Sequence, residues 1–403
     1  AVLKDALQEA GQIYVELTRL GAPMGWLDVG GGLGIDYDGS RTSTPASTNY
    51  SLQNYANDVV ATVRECCEPH GVPLPTLVSE SGRALASHFS VLVFEVLGAG
   101  MPPGAVPVPA ENEPLILRNL RDTHATIQTT LSASAAVHGQ PFDAAHAGEA
   151  EGSLERLQEA WNDALKFRDD ALSAFRLGYL TLPQRATAEQ LTWACGQAIS
   201  ARIQQLPSDQ LVPSELRSLP ASLAGTYYAN LSVFRSAPDT WAINQLFPLL
   251  PIERLHEHPG RLASIADLTC DSDGKFARFI DRGQVKSLLE LHDFRPGEPY
   301  RLGLFLAGAY QEVMGNLHNL FGRTNAVHIR LADGGGYKVE HVVRGDTSAE
   351  VLAAMEHDPE LLLERLRIAS EAAIAKGQLL ISDARRLMAH LRASLAQTTY
   401  LQD

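Results

Sequence analysis

The chain has 403 residues, a formal net charge of −14, 45% hydrophobic residues and 20% charged ones. That is enough for two or three domains with a sizeable core, in the composition of a soluble globular protein. The acidic balance argues against a nucleic-acid partner and against an anionic membrane surface.

Residues 1–20 place Leu3, Leu7, Ala10, Val15 and Leu17 near helical spacing, which predicts an amphipathic helix. The chain opens inside this pattern, on Ala1 rather than Met, and therefore reads as a fragment whose N-terminal part is missing. A short strand over 26–29 runs into Gly30, Gly31 and Gly32. A Ser/Thr-rich segment, 40–48, leads to a second helix over 52–68, stopped by His70-Gly71-Val72-Pro73. Residues 76–78 form a second strand that ends in Ser79-Glu80-Ser81-Gly82-Arg83. This alternation belongs to an α/β barrel or a doubly wound sheet. Both architectures put their chemistry at the C-terminal ends of the strands, where both loops fall.

Residues 89–98 are β-rich, and Pro102, Pro103, Pro107 and Pro109 then mark a boundary. From 112 to 218 the pattern is helical, with helices expected at 115–131, 152–177 and 188–206, as in an inserted bundle. Short strands and turns resume from 225 to 346, with strands at 263–269, 300–307, 326–331 and 337–343. Residues 348–395 are helical again. The chain shows no internal repeat and no signal peptide. Its best apolar run, 89–98, is about ten residues long and contains Glu95, too short to span a bilayer. Cys66, Cys67, Cys195 and Cys270 show no metal-ligand spacing and no disulfide framework, so a reducing cytoplasm fits best.

Three consecutive glycines after a strand require a sharp turn or a close backbone approach, and their N–H groups can cradle a phosphate. The spacing matches neither the GxGxxG dinucleotide fingerprint nor a P-loop. One strand later, Arg83 can pair with phosphate, and Glu80 can hold a proton on a heterocyclic nitrogen. An acid for a ring nitrogen beside a phosphate grip describes pyridoxal phosphate. A plain Glu80–Arg83 ion pair is the alternative. Further on, Thr269-Cys270-Asp271-Ser272-Asp273-Gly274-Lys275 is either a turn with a buried thiol or a proton donor beside an anion for a cationic substrate. Gly308-Ala309-Tyr310-Gln311-Glu312 offers a hydroxyl at a site or a packed Tyr.

Longer strings carry a resemblance. These are Leu27-Asp28-Val29-Gly30-Gly31-Gly32-Leu33-Gly34-Ile35-Asp36-Tyr37-Asp38-Gly39, Asn49-Tyr50-Ser51-Leu52-Gln53-Asn54-Tyr55-Ala56-Asn57, Ser79-Glu80-Ser81-Gly82-Arg83-Ala84, Pro238-Asp239-Thr240-Trp241-Ala242-Ile243, the Cys270–Lys275 string and the Gly308–Glu312 string. With them the chain resembles the C-terminal part of the bacterial biosynthetic arginine decarboxylases, which are fold type III pyridoxal-phosphate enzymes. The resemblance implies an α/β-plus-β fold. Residues 1–88 would be the C-terminal part of an alanine-racemase-like TIM barrel and 89–110 the start of a β-domain. Residues 111–222 would be a helical-bundle insert, 223–347 the rest of the β-domain, and 348–403 a C-terminal helical extension.

The resemblance also implies roles. Gly30, Gly31, Gly32, Gly82 and Arg83 would hold the pyridoxal-phosphate group with Tyr310 nearby, and Glu80 would keep the pyridine nitrogen protonated. Met24, Gly25, Trp26, Leu27, Asp28, Val29, Gly30, Gly31, Gly32, Leu33 and Gly34 would form a substrate-binding stretch. Cys270 would return the proton after CO2 leaves, and Asp271 and Asp273 would meet the guanidinium of L-arginine. The site would be shared within a homodimer or a larger homo-oligomer, with the Cys270 segment supplied in trans, and the family implies Mg2+. The product would be agmatine, for polyamine (putrescine and spermidine) biosynthesis. The same residues admit a decarboxylase of ornithine, lysine or diaminopimelate, or a non-catalytic regulatory paralogue. Two departures stand out. None of Lys4, Lys166, Lys275, Lys286, Lys338 and Lys376 lies on an early barrel strand, where the family's Schiff-base lysine sits; Lys286 is expected before a helix-like run. Arg323 stands after Asn319-Leu320-Phe321-Gly322 where the family pattern leads one to expect Asp.

Overall fold

The computed structural model describes the backbone of residues 2–100, 106–137, 144–203, 205–206, 211–281 and 284–402, and the side chains of all of these except 2, 133–137 and 144–152. Pro102 and Pro103 lie outside the described residues. The chain begins with α1 (Val2–Arg19), β1 (Trp26–Asp28), α2 (Leu52–Cys67) and β2 (Thr76–Val78). The two strands are parallel, with Leu27 opposite Leu77. Strand alternation turns Leu27 and Leu77 toward the helices, where Tyr14, Val15, Val63 and Cys67 form a small core. Trp26, Asp28, Thr76 and Val78, the alternate residues of both strands, are exposed. A capping box starts α2: Ser51 accepts from the Asn54 N–H, and Asn54 accepts from the Ser51 N–H. Gly71, at φ 63°, ends the turn that follows it.

The short α3 (Gly82–Ala86) leads into β3 (Leu92–Gly100), later in the sequence than the 89–98 predicted. Four helices follow: α4 (Leu115–Val137), α5 (Ala144–Arg176), α6 (Leu182–Ile203) and α7 (Ser214–Ser222). They surround Leu120, Ile127, Leu157, Leu191, Ile199 and Leu216. The sequence did not single out α7, which carries Pro220 inside it, a residue that ordinarily ends a helix. The next strand, β4 (Gly225–Ala229), pairs antiparallel with β3, so the bundle is an excursion between two neighbouring strands.

The remainder comprises α8 (Val233–Ser236), α9 (Asp239–Ala242), β5 (Leu249–Pro251), β6 (Arg261–Ala266), β7 (Lys275–Phe276), β8 (Phe279–Asp281), β9 (Gln284–Lys286), β10 (Leu289–Leu291), β11 (Arg301–Leu304), α10 (Gln311–Met314), β12 (Ala326–Leu331) and β13 (Tyr337–Val343). The tail is α11 (Ser348–Ala354), α12 (Pro359–Ala375) and α13 (Ile381–Leu395). The main sheet runs β10-β6-β4-β3-β11-β5, with β7 beside β6. Lys286 precedes a strand, β10, and not a helix. The run after it is only three residues long in an alternating buried pattern, which a sheet edge accepts and a helix does not.

The core of this sheet contains Phe94, Val96, Tyr227, Ile265, Leu291 and Leu302, and also Ile35, Tyr37 and Ala46 from the segment after the glycine loop. The glycine loop is thus anchored at one end in the parallel strand pair and at the other in the β-domain. The C-terminal end is strapped back by reciprocal hydrogen bonds between the Asn230 amide and the backbone of Leu401.

Candidate active site

The two loops expected to carry chemistry are joined. The Val29 N–H continues the β1–β2 ladder by donating to the Val78 carbonyl at 2.9 Å, and the Glu80 N–H donates to the Gly30 carbonyl at 2.9 Å. Gly30 and Gly32 take φ of 73° and 84°, values that favour glycine. Gly30 N–H donates to Asp28 Oδ1 at 2.8 Å, and Gly34 N–H to the Tyr50 hydroxyl at 2.9 Å. Between them, the N–H groups of Gly31 and Gly32 have no partner among the described residues, and neither has the carboxylate of Glu80. Two donors and one acid are therefore available side by side.

Arg83 does not pair with Glu80. Its Nη2 donates to Asp239 Oδ2 at 2.9 Å and its Nη1 to the Tyr37 hydroxyl at 3.0 Å. Burial pulls its pKa down, but the hydrogen bonds to Tyr37 and Asp239 outweigh that and leave it raised, so Arg83 is a fixed cation. The Tyr310 ring lies 5.0 Å from the guanidinium carbon, a cation–π contact. The Tyr310 hydroxyl lies 3.2 Å from where a Cβ on Gly82 would stand, so glycine at 82 makes room for it. Tyr310 itself is held at φ 69°, uncommon for a bulky residue and a mark of a constrained site.

The Cys270 turn is built by a residue the sequence reading missed. Buried Asp267 accepts from the N–H and hydroxyl of Thr269 and from the Val233 N–H. Cys270 is exposed, which removes the buried-thiol alternative. Its N–H donates to Asn319 Oδ1 at 3.1 Å, and Asp271 pairs with His318, whose ring packs on Phe234. Among the described residues, no hydrogen bond or ion pair joins Cys270, Asp271 or Asp273 to the glycine loop or to Glu80.

In the 24–34 stretch, Met24 and Leu27 pack against the helical layer, Leu33 is buried and Trp26 is exposed. Gly25 and Val29 contribute backbone to the ladder. Of the lysines, Lys4 pairs with Asp58 and Lys286 with Glu290. Among the described residues, no group of three or more His, Cys, Asp or Glu could hold a metal ion, so the Mg2+ that the resemblance implies finds no cluster. Sequence reading also missed Tyr37, Asp239, Gln311, His318 and Asn319 as site residues. Tyr37, Asp239 and Gln311 stood inside the strings that carry the resemblance, whereas His318 and Asn319 did not.

Residues 1–87 match the family model "Pyridoxal-dependent decarboxylase, pyridoxal binding domain". Residues 110–219 match "Arginine decarboxylase helical bundle domain", and 349–401 match "Arginine decarboxylase C-terminal helical extension". The chain is 68% identical over 403 residues to the biosynthetic arginine decarboxylase of Parasynechococcus marenigrum (strain WH8102), covering 100% of this chain and 60% of that relative. It is 67% identical over 402 residues to that of Prochlorococcus marinus (strain MIT 9303), covering 100% and 59%. The crystal structure of the biosynthetic arginine decarboxylase SpeA from Campylobacter jejuni matches with a TM-score of 0.74 at 28% identity, over 100% of this chain and 60% of that one. The fold, a parallel α/β piece joined to an antiparallel β-domain with a helical insert and a helical tail, is that of the fold type III pyridoxal-dependent decarboxylases. Within that class, the chain is similar over its full length to biosynthetic arginine decarboxylases. It spans about 60% of the length of the curated relatives it matches.

Proposed function

We propose that this chain is the greater part of a pyridoxal-phosphate-dependent decarboxylase that converts L-arginine to agmatine and CO2, in the cytoplasm, at the entry to polyamine synthesis. One observation carries the reading. Glu80, whose carboxylate has no partner among the described residues, is fastened beside two glycine N–H groups that likewise have none there, with Arg83 on the following segment and the Tyr310 ring packed against Arg83.

The residues fit the cofactor. The N–H groups of Gly31 and Gly32 and the unused donors of Arg83 suit a phosphate dianion. Glu80 suits a protonated pyridine nitrogen. When bound, pyridoxal phosphate supplies the electron sink for loss of CO2. The chain's own residues bind and orient. Gly31 and Gly32 take the phosphate with Arg83, and Glu80 holds a proton at the ring nitrogen. Cys270 delivers a proton to the carbon that has lost CO2, and Asp271 and Asp273 pair with the guanidinium of the substrate. Asp271 is already oriented by His318 and Cys270 by Asn319. Because no hydrogen bond or ion pair among the described residues ties that turn to the glycine loop, we place it at the glycine loop of a second subunit, in a homodimer or larger homo-oligomer.

The test is the rate of CO2 release by the whole protein from L-arginine, L-ornithine, L-lysine and diaminopimelate. Agmatine from arginine, with little turnover of the others, is expected. Activity on ornithine with none on arginine overturns the substrate assignment.

A further inference from the structure

Asp239 lies on the short α9, far in sequence from Arg83 and from the Tyr310 segment, yet it is hydrogen-bonded to Arg83 and to Gln311, the neighbour of Tyr310. It is 4% exposed and Gln311 2% exposed, so each must find its partners inside the protein. Asp239 Oδ2 accepts from Arg83 Nη2 at 2.9 Å and from Gln311 Nε2 at 2.8 Å. In return the Asp239 N–H donates to Gln311 Oε1 at 3.1 Å, and Gln311 Nε2 also donates to the Ala309 carbonyl at 2.9 Å. Reciprocal donation fixes which way the Gln311 amide points. Gln311 is next to Tyr310, and Tyr310 is the ring that stacks on Arg83. One buried carboxylate therefore ties Arg83 to the segment that carries Tyr310.

We propose that Asp239, braced by Gln311, is a positioning residue for the cofactor phosphate. It fixes the Arg83 guanidinium in one orientation, so that the donors left over by Tyr37 and Asp239 meet the phosphate without a search. This rests on the reading of Arg83 as a phosphate ligand. Tyr37 and Asp239 occupy only two of the five guanidinium donors. Asp239 also cancels the charge of Arg83. The contribution of Arg83 is therefore directional, and the arrangement trades net attraction for geometry.

The test compares two ligands on the apoprotein, pyridoxal 5′-phosphate and pyridoxal, by absorbance titration, together with thermal unfolding. Asp239→Ala is expected to weaken the phosphorylated ligand by about tenfold or more, the loss of a charge-assisted hydrogen bond, while pyridoxal affinity stays within about twofold. Asp239→Asn keeps the shape and an acceptor oxygen; it serves if the alanine variant fails to fold, and is expected to show a smaller loss in the same phosphate-specific sense. Equal losses for both ligands mean that Asp239 only supports the fold, and overturn the proposal, as does no loss for either. Arg83→Ala separates the two layers. If Arg83→Ala lowers the preference for the phosphorylated ligand and the Asp239 variants do not, the positioning role alone fails. If Arg83→Ala leaves that preference intact, the reading of Arg83 fails and the proposal falls with it.

Discussion

Arg323 grips Asp346 with both its side chain and its backbone. Nε and Nη2 donate to Oδ1 at 3.0 and 2.7 Å, and the Arg323 N–H donates to Oδ2 at 2.7 Å. The Asp346 N–H returns a hydrogen bond to the Arg323 carbonyl at 3.1 Å. Arg323, where the sequence reading expected Asp, thus fastens the start of the β12–β13 hairpin to the segment where the C-terminal helices begin.

This pair makes stability depend on acid. The Arg323 hydrogen bond is the largest influence on Asp346 and holds its carboxyl below the ordinary value. A depressed carboxyl pKa stabilises the fold above the unfolded value, about 3.9 for Asp, and that stabilisation is lost as pH falls through the folded value. Half of the Arg323 side chain is in water, so the pair is worth about 1 kcal/mol. Arg323→Ala is expected to lower the urea midpoint at pH 7, with the gap to the parent narrowing as pH falls below about 3.9, the unfolded value for Asp. A gap that does not narrow would assign the loss to packing.

Gly31 meets backbone rather than a flexible side chain. A Cβ there would lie 2.9 Å from the Glu80 carbonyl oxygen, so Gly31→Ala must push the Glu80 loop away. The expected costs are about 1–3 kcal/mol of stability, as for other overpacked sites, and weaker cofactor binding. Gly21 is a suitable control, because nothing stands within 4 Å of its Cβ position, although its φ of 90° makes alanine strained there too. Gly21→Ala should cost stability without touching cofactor affinity. Equal cofactor affinity in Gly31→Ala and the parent would remove the loop contact from the account of the site.

Much of this fold was legible because the signals were local. The strand over 76–78 and the hairpin strands over 326–331 and 337–343 coincide with the observed elements, since each is bounded by turn residues. The helices over 1–20 and 52–68 differ from α1 and α2 only at their ends, where hydrogen bonding frays. Strands β7 to β10 are two or three residues long and were not distinguished, because such segments hold their shape by pairing with distant strands rather than by pattern. The site divides in the same way. The glycine run, Glu80 and Arg83 announce themselves by residue type. Asp239, Gln311 and Asp267 do not, since a buried Asp or Gln looks like any surface one until the chain folds around it. The expected alternative, a Glu80–Arg83 pair, failed because Arg83 found a better-buried carboxylate.

The cysteines should differ widely in reactivity. Burial pushes the Cys195 thiol up to about 12, and burial also raises Cys66 and Cys67, whereas Cys270 is exposed. The thiolate is the reactive form, so iodoacetamide at pH 8 should label Cys270 first and Cys195 last, as read by peptide mass spectrometry. Early labelling of Cys195 would mean that the helical bundle opens readily in solution.

Among the described residues no hydrogen bond or ion pair joins Cys270 to the glycine loop, and a mixed-subunit experiment gives the strongest test of a shared site. Cys270→Ala alone should slow turnover or misdirect protonation and leave the cofactor bound, because the role proposed for the thiol is proton delivery and not phosphate binding. Arg83→Ala should instead impair cofactor binding. If each site takes Arg83 from one subunit and Cys270 from the other, a mixed dimer of the two variants has one site with both residues intact and one with neither. Random reassortment gives half mixed dimers, each with one working site, so about a quarter of the parental activity should return on mixing. If both residues came from the same subunit, every site in the mixture would lack one of them, and mixing would restore nothing. A mixture no more active than the mean of its two components, with subunit exchange verified by native mass spectrometry, would rule out supply in trans.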